Sequence, residues 1–121
     1  MKKVIVAASV ATMAMGLSMG AQAANAISTE ELMSYCKSTD GSAFVTCEIY
    51  GQAVYDTYLV TRHPKFAPNT ICIKQPAPPR KEVIQEYVAW ADANPKAAKA
   101  PAAETILRFL STKFPCGKAA K

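Results

Sequence analysis

The sequence predicts an all-α fold, a small four-helix domain stapled by two disulfides. Apolar residues recur at helical spacing in four successive stretches, and Asp-Gly, Asn-Pro or prolines separate them. Four cysteines lie at or near the ends of those stretches, an even count that a small exported domain uses for two bridges.

The first residues are expected to be an export signal and not part of the fold. Lys2 and Lys3 form a charged start, Val4 to Leu17 a small and apolar core, and Ala21-Gln22-Ala23 or Ala24-Asn25-Ala26 a cleavage site. The apolar run is shorter than the roughly 20 residues a membrane span needs. Residues 1–26 therefore read as a secretory signal peptide cut after Ala23 or Ala26, and 27–121 as one helical domain. Loss of Lys2 and Lys3 lowers the formal charge from +5 to +3. No run of Lys or Arg forms a stripe, so neither nucleic acid nor, after signal removal, a membrane is an expected partner. A mildly basic surface suits an acidic protein by steering its approach.

Ser28-Thr29-Glu30-Glu31 has the pattern of a capping box, with Ser28 at the cap and Glu31 three residues on. The helix it opens carries Leu32, Tyr35 and Cys36, and Asp40-Gly41 marks its turn. A second helix is predicted from about Ser42 to about Thr61. Phe44, Cys47, Gly51, Val54 and Tyr58 define its face, flanked by Tyr50 and Leu59. Glycine in mid-helix costs about 1 kcal/mol against alanine. Gly51 is therefore read as a point where another helix, or a second copy of the chain, approaches closely; the alternative is a tolerated weak spot.

From Arg62 to Ala77 neither helical nor strand period is present, and three prolines interrupt the run. Loops of this length in compact domains are commonly functional. Because Cys72 ties down its far half, an ordered, projecting loop is expected. Arg62, His63, Lys65, Phe66, Asn69 and Thr70 are its candidate protein-binding residues; the alternative is a plain connection laid over the bundle.

Ile71 to Cys116 reads as a helical hairpin with a cysteine at each end. Pro78 and Pro79 stand at the start of the first arm, where proline is tolerated, and Asn94-Pro95 stops it. Val83, Ile84, Tyr87, Val88 and Ala91 form its apolar stripe. Pro101 opens the second arm, with Ala103, Ile106, Leu107, Leu110 and Phe114 on one face, and Pro115 ends it. A short connection makes the arms antiparallel and returns Cys116 to Cys72. Likewise Cys36 ends one helix and Cys47 lies early in the next. Of three possible pairings, geometry selects Cys36–Cys47 and Cys72–Cys116. Trp90 is expected in the core, Phe109 beside the main stripe as a candidate interface aromatic, and Lys118 to Lys121 in a frayed tail.

Catalysis is not expected. His63 is the only histidine, and both bridges consume every thiol that a Cys–His pair would need. Glu30-Glu31 suits a helix N-terminus, and Glu82 with Glu86 an exposed face. No phosphate-binding glycine loop occurs, and the absence of a CxxC pattern argues against zinc. No cofactor or metal is therefore expected.

The order of these features resembles the Rap/Tai family of type VI secretion amidase immunity proteins. It runs from a tyrosine-and-glycine helix (Cys47 to Tyr58) through Cys72-Ile73, a proline-led helix, Asn94-Pro95 and Pro101-Ala102 to a closing Phe114-Pro115-Cys116. The likeness covers most of the mature chain and is strongest from Cys72 to Cys116. It departs from the family where the third helix starts, at Ala77-Pro78-Pro79-Arg80. The resemblance implies an all-helical periplasmic homodimer that occludes the cleft of a cell-wall amidase effector without chemistry of its own. The rival reading is a periplasmic stress chaperone of the small, disulfide-stapled helical type. An acid switch in such a chaperone would rest on carboxylates, since only one histidine is present.

Overall fold

The computed structural model describes residues 25–117. The expected signal peptide over 1–26 lies outside the described residues except for Asn25 and Ala26, and so does the expected tail at 118–121. Four α-helices follow in order: α1 (Thr29–Cys36), α2 (Gly41–Val60), α3 (Arg80–Ala93) and α4 (Ala102–Lys113), with a 3₁₀ turn at Pro95–Ala97 between the last two. Among the described residues no strand forms; three isolated antiparallel bridges join Ser28 to Pro101, His63 to Ala67 and Ile71 to Pro115.

Local chemistry sets the ends of the helices. Ser28 caps α1 by accepting the Glu31 N–H at 3.2 Å, and Glu30 and Glu31 place negative charge in its first turn. Asp40 caps α2, accepting both the backbone N–H and the hydroxyl of Ser42. These bonds hold its carboxyl below the usual range. Pro79 and Pro101 precede α3 and α4, and neither helix has a side-chain cap.

Both expected disulfides are present, Cys36–Cys47 and Cys72–Cys116. The first fastens α1 to α2. The second, beside the Ile71–Pro115 bridge and the bond from Cys72 N–H to the Phe114 carbonyl at 2.8 Å, closes the α3–α4 hairpin.

Leu32, Met33, Ile84, Tyr87, Ile106, Phe109 and Leu110 form the centre of the core. Burial of each such side chain stabilises the fold by roughly 1.5–3 kcal/mol. Phe109 is only 6% exposed, which corrects its reading as an interface aromatic. The reason is Thr105. As a polar residue it bounds the stripe in the sequence, yet it is fully buried, and the inner face of α4 runs through Ala102, Thr105, Ile106, Phe109 and Leu110. Trp90 is half-buried and packs on Tyr87 and Phe109 at centroid distances of 6.1 and 6.2 Å.

Thr105 is tolerated inside because hydroxyls from three helices meet there. Thr105 Oγ1 lies 2.7 Å from the Tyr87 hydroxyl and 2.8 Å from Thr29 Oγ1, which donates to the Ala100 carbonyl at 2.9 Å. With one proton per hydroxyl, Tyr87 donates to Thr105 and Thr29 to the Ala100 carbonyl, while the Thr105 proton has two acceptors in reach, Thr29 Oγ1 at 2.8 Å and the Ala102 carbonyl at 3.1 Å. Backbone bonds from Thr29 to Ala100, Glu30 to Ala98 and Ala102 to Ile27 add to the same seam. The amino end of the domain is thereby tied to the α3–α4 connection.

Gly51 requires a second correction. A Cβ built on it meets nothing within 4 Å, so among the described residues no other helix of the chain approaches closely there. It lies instead on the wall of a cavity. Helix α2 also carries apolar residues outward: Ile49 is 62% exposed and Val60 83%. Four ion pairs, Lys37–Asp92, Lys99–Glu30, Arg108–Glu104 and Lys113–Glu86, decorate the surface, where each contributes little.

Candidate functional site

The sequence places polar, cationic and aromatic groups together after α2, and the structure builds them into a small projection with a fixed root. Thr61 closes α2 by donating its N–H to Thr57 and Tyr58 carbonyls. Arg62 then folds back. Its Nε donates to the Tyr58 carbonyl at 3.0 Å, and its guanidinium lies 4.3 Å from the centroid of the Tyr58 ring. One terminal nitrogen reaches toward the Pro68 carbonyl at 3.5 Å.

The other side of the root hangs on the same tyrosine. The Tyr58 hydroxyl accepts the backbone N–H groups of Thr70 and Ile71, each at 2.8 Å. Burial raises the pKa of this phenol, but the bonds from Ile71 and Thr70 and the charge of Arg62 outweigh it, and the net shift is downward. One residue further on, Cys72 is pinned to Phe114 and Cys116.

Between these anchors the chain turns over. His63 and Ala67 exchange backbone bonds at 2.9 Å in both directions, leaving Pro64, Lys65 and Phe66 as a three-residue tip. The His63 ring stacks on Phe66 at 4.9 Å, and Lys65 Nζ stands 5.4 Å from the Phe66 centroid. His63 Nδ1 accepts the Lys65 N–H at 3.2 Å, which leaves Nε2 to carry the ring proton. Phe66 is nonetheless 77% exposed. A large aromatic held by neighbours and still facing solvent is what an interface anchor looks like before docking.

The six candidate residues thus divide. His63, Lys65 and Phe66 form the tip, and Asn69 is exposed beside it. Arg62 is engaged at the root, and Thr70 supplies a backbone bond there. Sequence reasoning missed Tyr58 as the common anchor. Its position in the last turn of α2, just ahead of the aperiodic stretch, is the signal that marks it.

The segment that carries the projection has charge of one sign. Between Asp56 and Glu82 the chain has Arg62, Lys65, Lys74, Arg80 and Lys81 and no carboxylate. At the α3–α4 connection, the Asn94 to Ala100 turn is a second surface that a partner could meet, but it is engaged internally through Ala98, Ala100 and the Lys99–Glu30 pair. Among the described residues no group of three or more His, Cys, Asp or Glu is placed to hold a metal, and no helix is long and apolar enough to cross a membrane.

The model of the Rap1a immunity proteins matches residues 28–116. The chain belongs to the Rap1a immunity protein family. No curated protein and no solved structure matches it. The Rap1a match begins at the cap of α1 and ends at the last disulfide cysteine, so it contains all four helices, both bridges and the projecting loop.

Proposed function

We propose that this Rap1a-family protein is exported to the periplasm, is not an enzyme, and binds an amidase effector delivered by type VI secretion. It fills the amidase's active cleft with the 62–70 loop and excludes the cell-wall peptide crosslinks from it. The observation that carries this reading is Phe66, exposed at the tip of a loop rooted at both ends. A rooted loop loses less conformational entropy on docking than a free one. Truncation of such an anchor costs more than about 2 kcal/mol of affinity in well-packed interfaces. The cation-only segment from Arg62 to Lys81 supports a cleft with an acidic rim, which it would approach faster at low salt.

The working unit is proposed to be a homodimer. Support comes from the outward apolar residues of α2, Ile49 and Val60, which stay exposed among the described residues. Family membership favours immunity over the chaperone reading.

The test mixes the purified mature protein with the amidase encoded beside it and follows crosslink cleavage. Wild type should inhibit, Lys96→Ala should inhibit equally, and Phe66→Ala should inhibit poorly. Full inhibition by Phe66→Ala with failure of Lys96→Ala would move the contact to the Asn94 to Ala100 turn. No binding by wild type would end the immunity reading for that pair.

A further inference from the structure

A cavity of about 310 Å³ opens between α2, α3, α4 and the segment leading into α3. Protein interiors are normally close-packed, and unfilled apolar space costs stability. This space lies within the range of roughly 300–1,000 Å³ typical of sites for small organic ligands. Buried Leu32, Ile84, Phe109 and Leu110 contribute to its lining, so it reaches the core. Gly51 is part of the wall, and a side chain there would enter open space.

The mouth has a different chemistry. Arg80, the first residue of α3, donates from Nη2 to Gln52 Oε1 at 2.8 Å, and Gln52 Nε2 donates to Asp56 at 2.7 Å. Among the described residues Arg80 has no carboxylate partner. Because Arg80 opens α3, which has no side-chain cap, the positive end of the helix dipole adds to its charge. Glu48, half-buried one turn before Gln52, is the only acidic group on the lining.

We infer that this cavity is a binding site for a medium-chain alkyl carboxylate, the alkyl chain lying along Gly51 toward Phe109 and the carboxylate at Arg80. A charge-assisted bond to the guanidinium fixes the head, and burial of methylene groups holds the tail. The inference does not depend on the effector-binding role of the 62–70 loop.

Calorimetric titration of the mature protein with decanoate, kept below its micelle concentration, tests the site. One decanoate per chain should bind. Gly51→Leu fills the space with a better helix former and should abolish binding. Arg80 is exposed, so Arg80→Gln keeps the fold; it should weaken decanoate about tenfold and leave decanol unchanged. Glu48→Gln should tighten decanoate by relieving like-charge repulsion. Absence of decanoate binding, or binding that survives Gly51→Leu, overturns the site. Equal response of decanoate and decanol to Arg80→Gln overturns the assignment of the head group. A change of particle mass on Gly51→Leu, without decanoate binding by wild type, would make a second copy the occupant and overturn the inference.

Discussion

The phenol oxygen of Tyr58 accepts the backbone N–H of Ile71 at 2.8 Å, so one side chain of α2 carries the returning limb of the candidate loop. Tyr58→Phe removes that acceptor and leaves two backbone donors, of Thr70 and Ile71, without it. The expected cost is about 1–3 kcal/mol, since Ile71 is buried. Hydrogen exchange should quicken at Thr70 and Ile71 first. Urea denaturation that moves by less than about 0.5 kcal/mol, with unchanged exchange, would remove Tyr58 as the anchor.

The two disulfides should differ in what their loss costs. Sequence separations of 11 and 44 residues give closures worth about 3 and about 4 kcal/mol in the chain-entropy treatment. Replacing Cys72 and Cys116 by serine should therefore lower stability more than replacing Cys36 and Cys47. It should also free the loop root, so inhibition is lost along with it. Equal stability loss in both double variants would mean that enthalpic terms outweigh closure.

Alkaline pH should act through Tyr87. Burial pushes its phenol up, against hydrogen bonds with Thr105 and Thr29 that pull down. A raised folded pKa means that the folded chain keeps its proton where the unfolded chain has begun to lose it. Stability is thus full below about pH 10, the ordinary tyrosine value, and falls as pH climbs past it. Tyr87→Phe should flatten that fall while costing about 1 kcal/mol at neutral pH from the lost bond. Identical alkaline profiles for the two proteins would assign the fall to other groups.

Self-association should depend on the outer side of α2. Light scattering is expected to return twice the chain mass for wild type and the single mass for Ile49→Glu. Ile49 is exposed, so the substitution should leave thermal stability within the small range of surface changes. A single mass for wild type across micromolar concentrations would remove the homodimer.

Much of this architecture is legible in the residues themselves. Ser28, Asp40, Pro78-Pro79, Asn94-Pro95 and Pro101 bound the helices because capping and missing N–H groups act locally. Both cysteine pairings follow from short connections between neighbouring helices. The hydroxyl run from Tyr87 to Thr29 is not legible, since threonine scores as polar until distant partners at positions 87 and 105 surround it. Phe109 was displaced from the core reading by that same threonine. Gly51 shows the limit of inference from small residues, which can mark a close neighbour or an empty space. In the loop, composition points to the tip residues, while Arg62 joins the root through bonds that no spacing rule contains.

The seam between Thr29 and Thr105 spans 76 residues of sequence. A chain that emerges amino end first, from a ribosome or through a membrane channel, holds Thr29 without its partners until residue 105 has followed. The first helix then has its cap but not its inner face. The contacts across this seam are therefore made only after nearly the whole chain is out. Until then its neighbour α2, fastened through Cys36–Cys47, is at hand to hold the first helix.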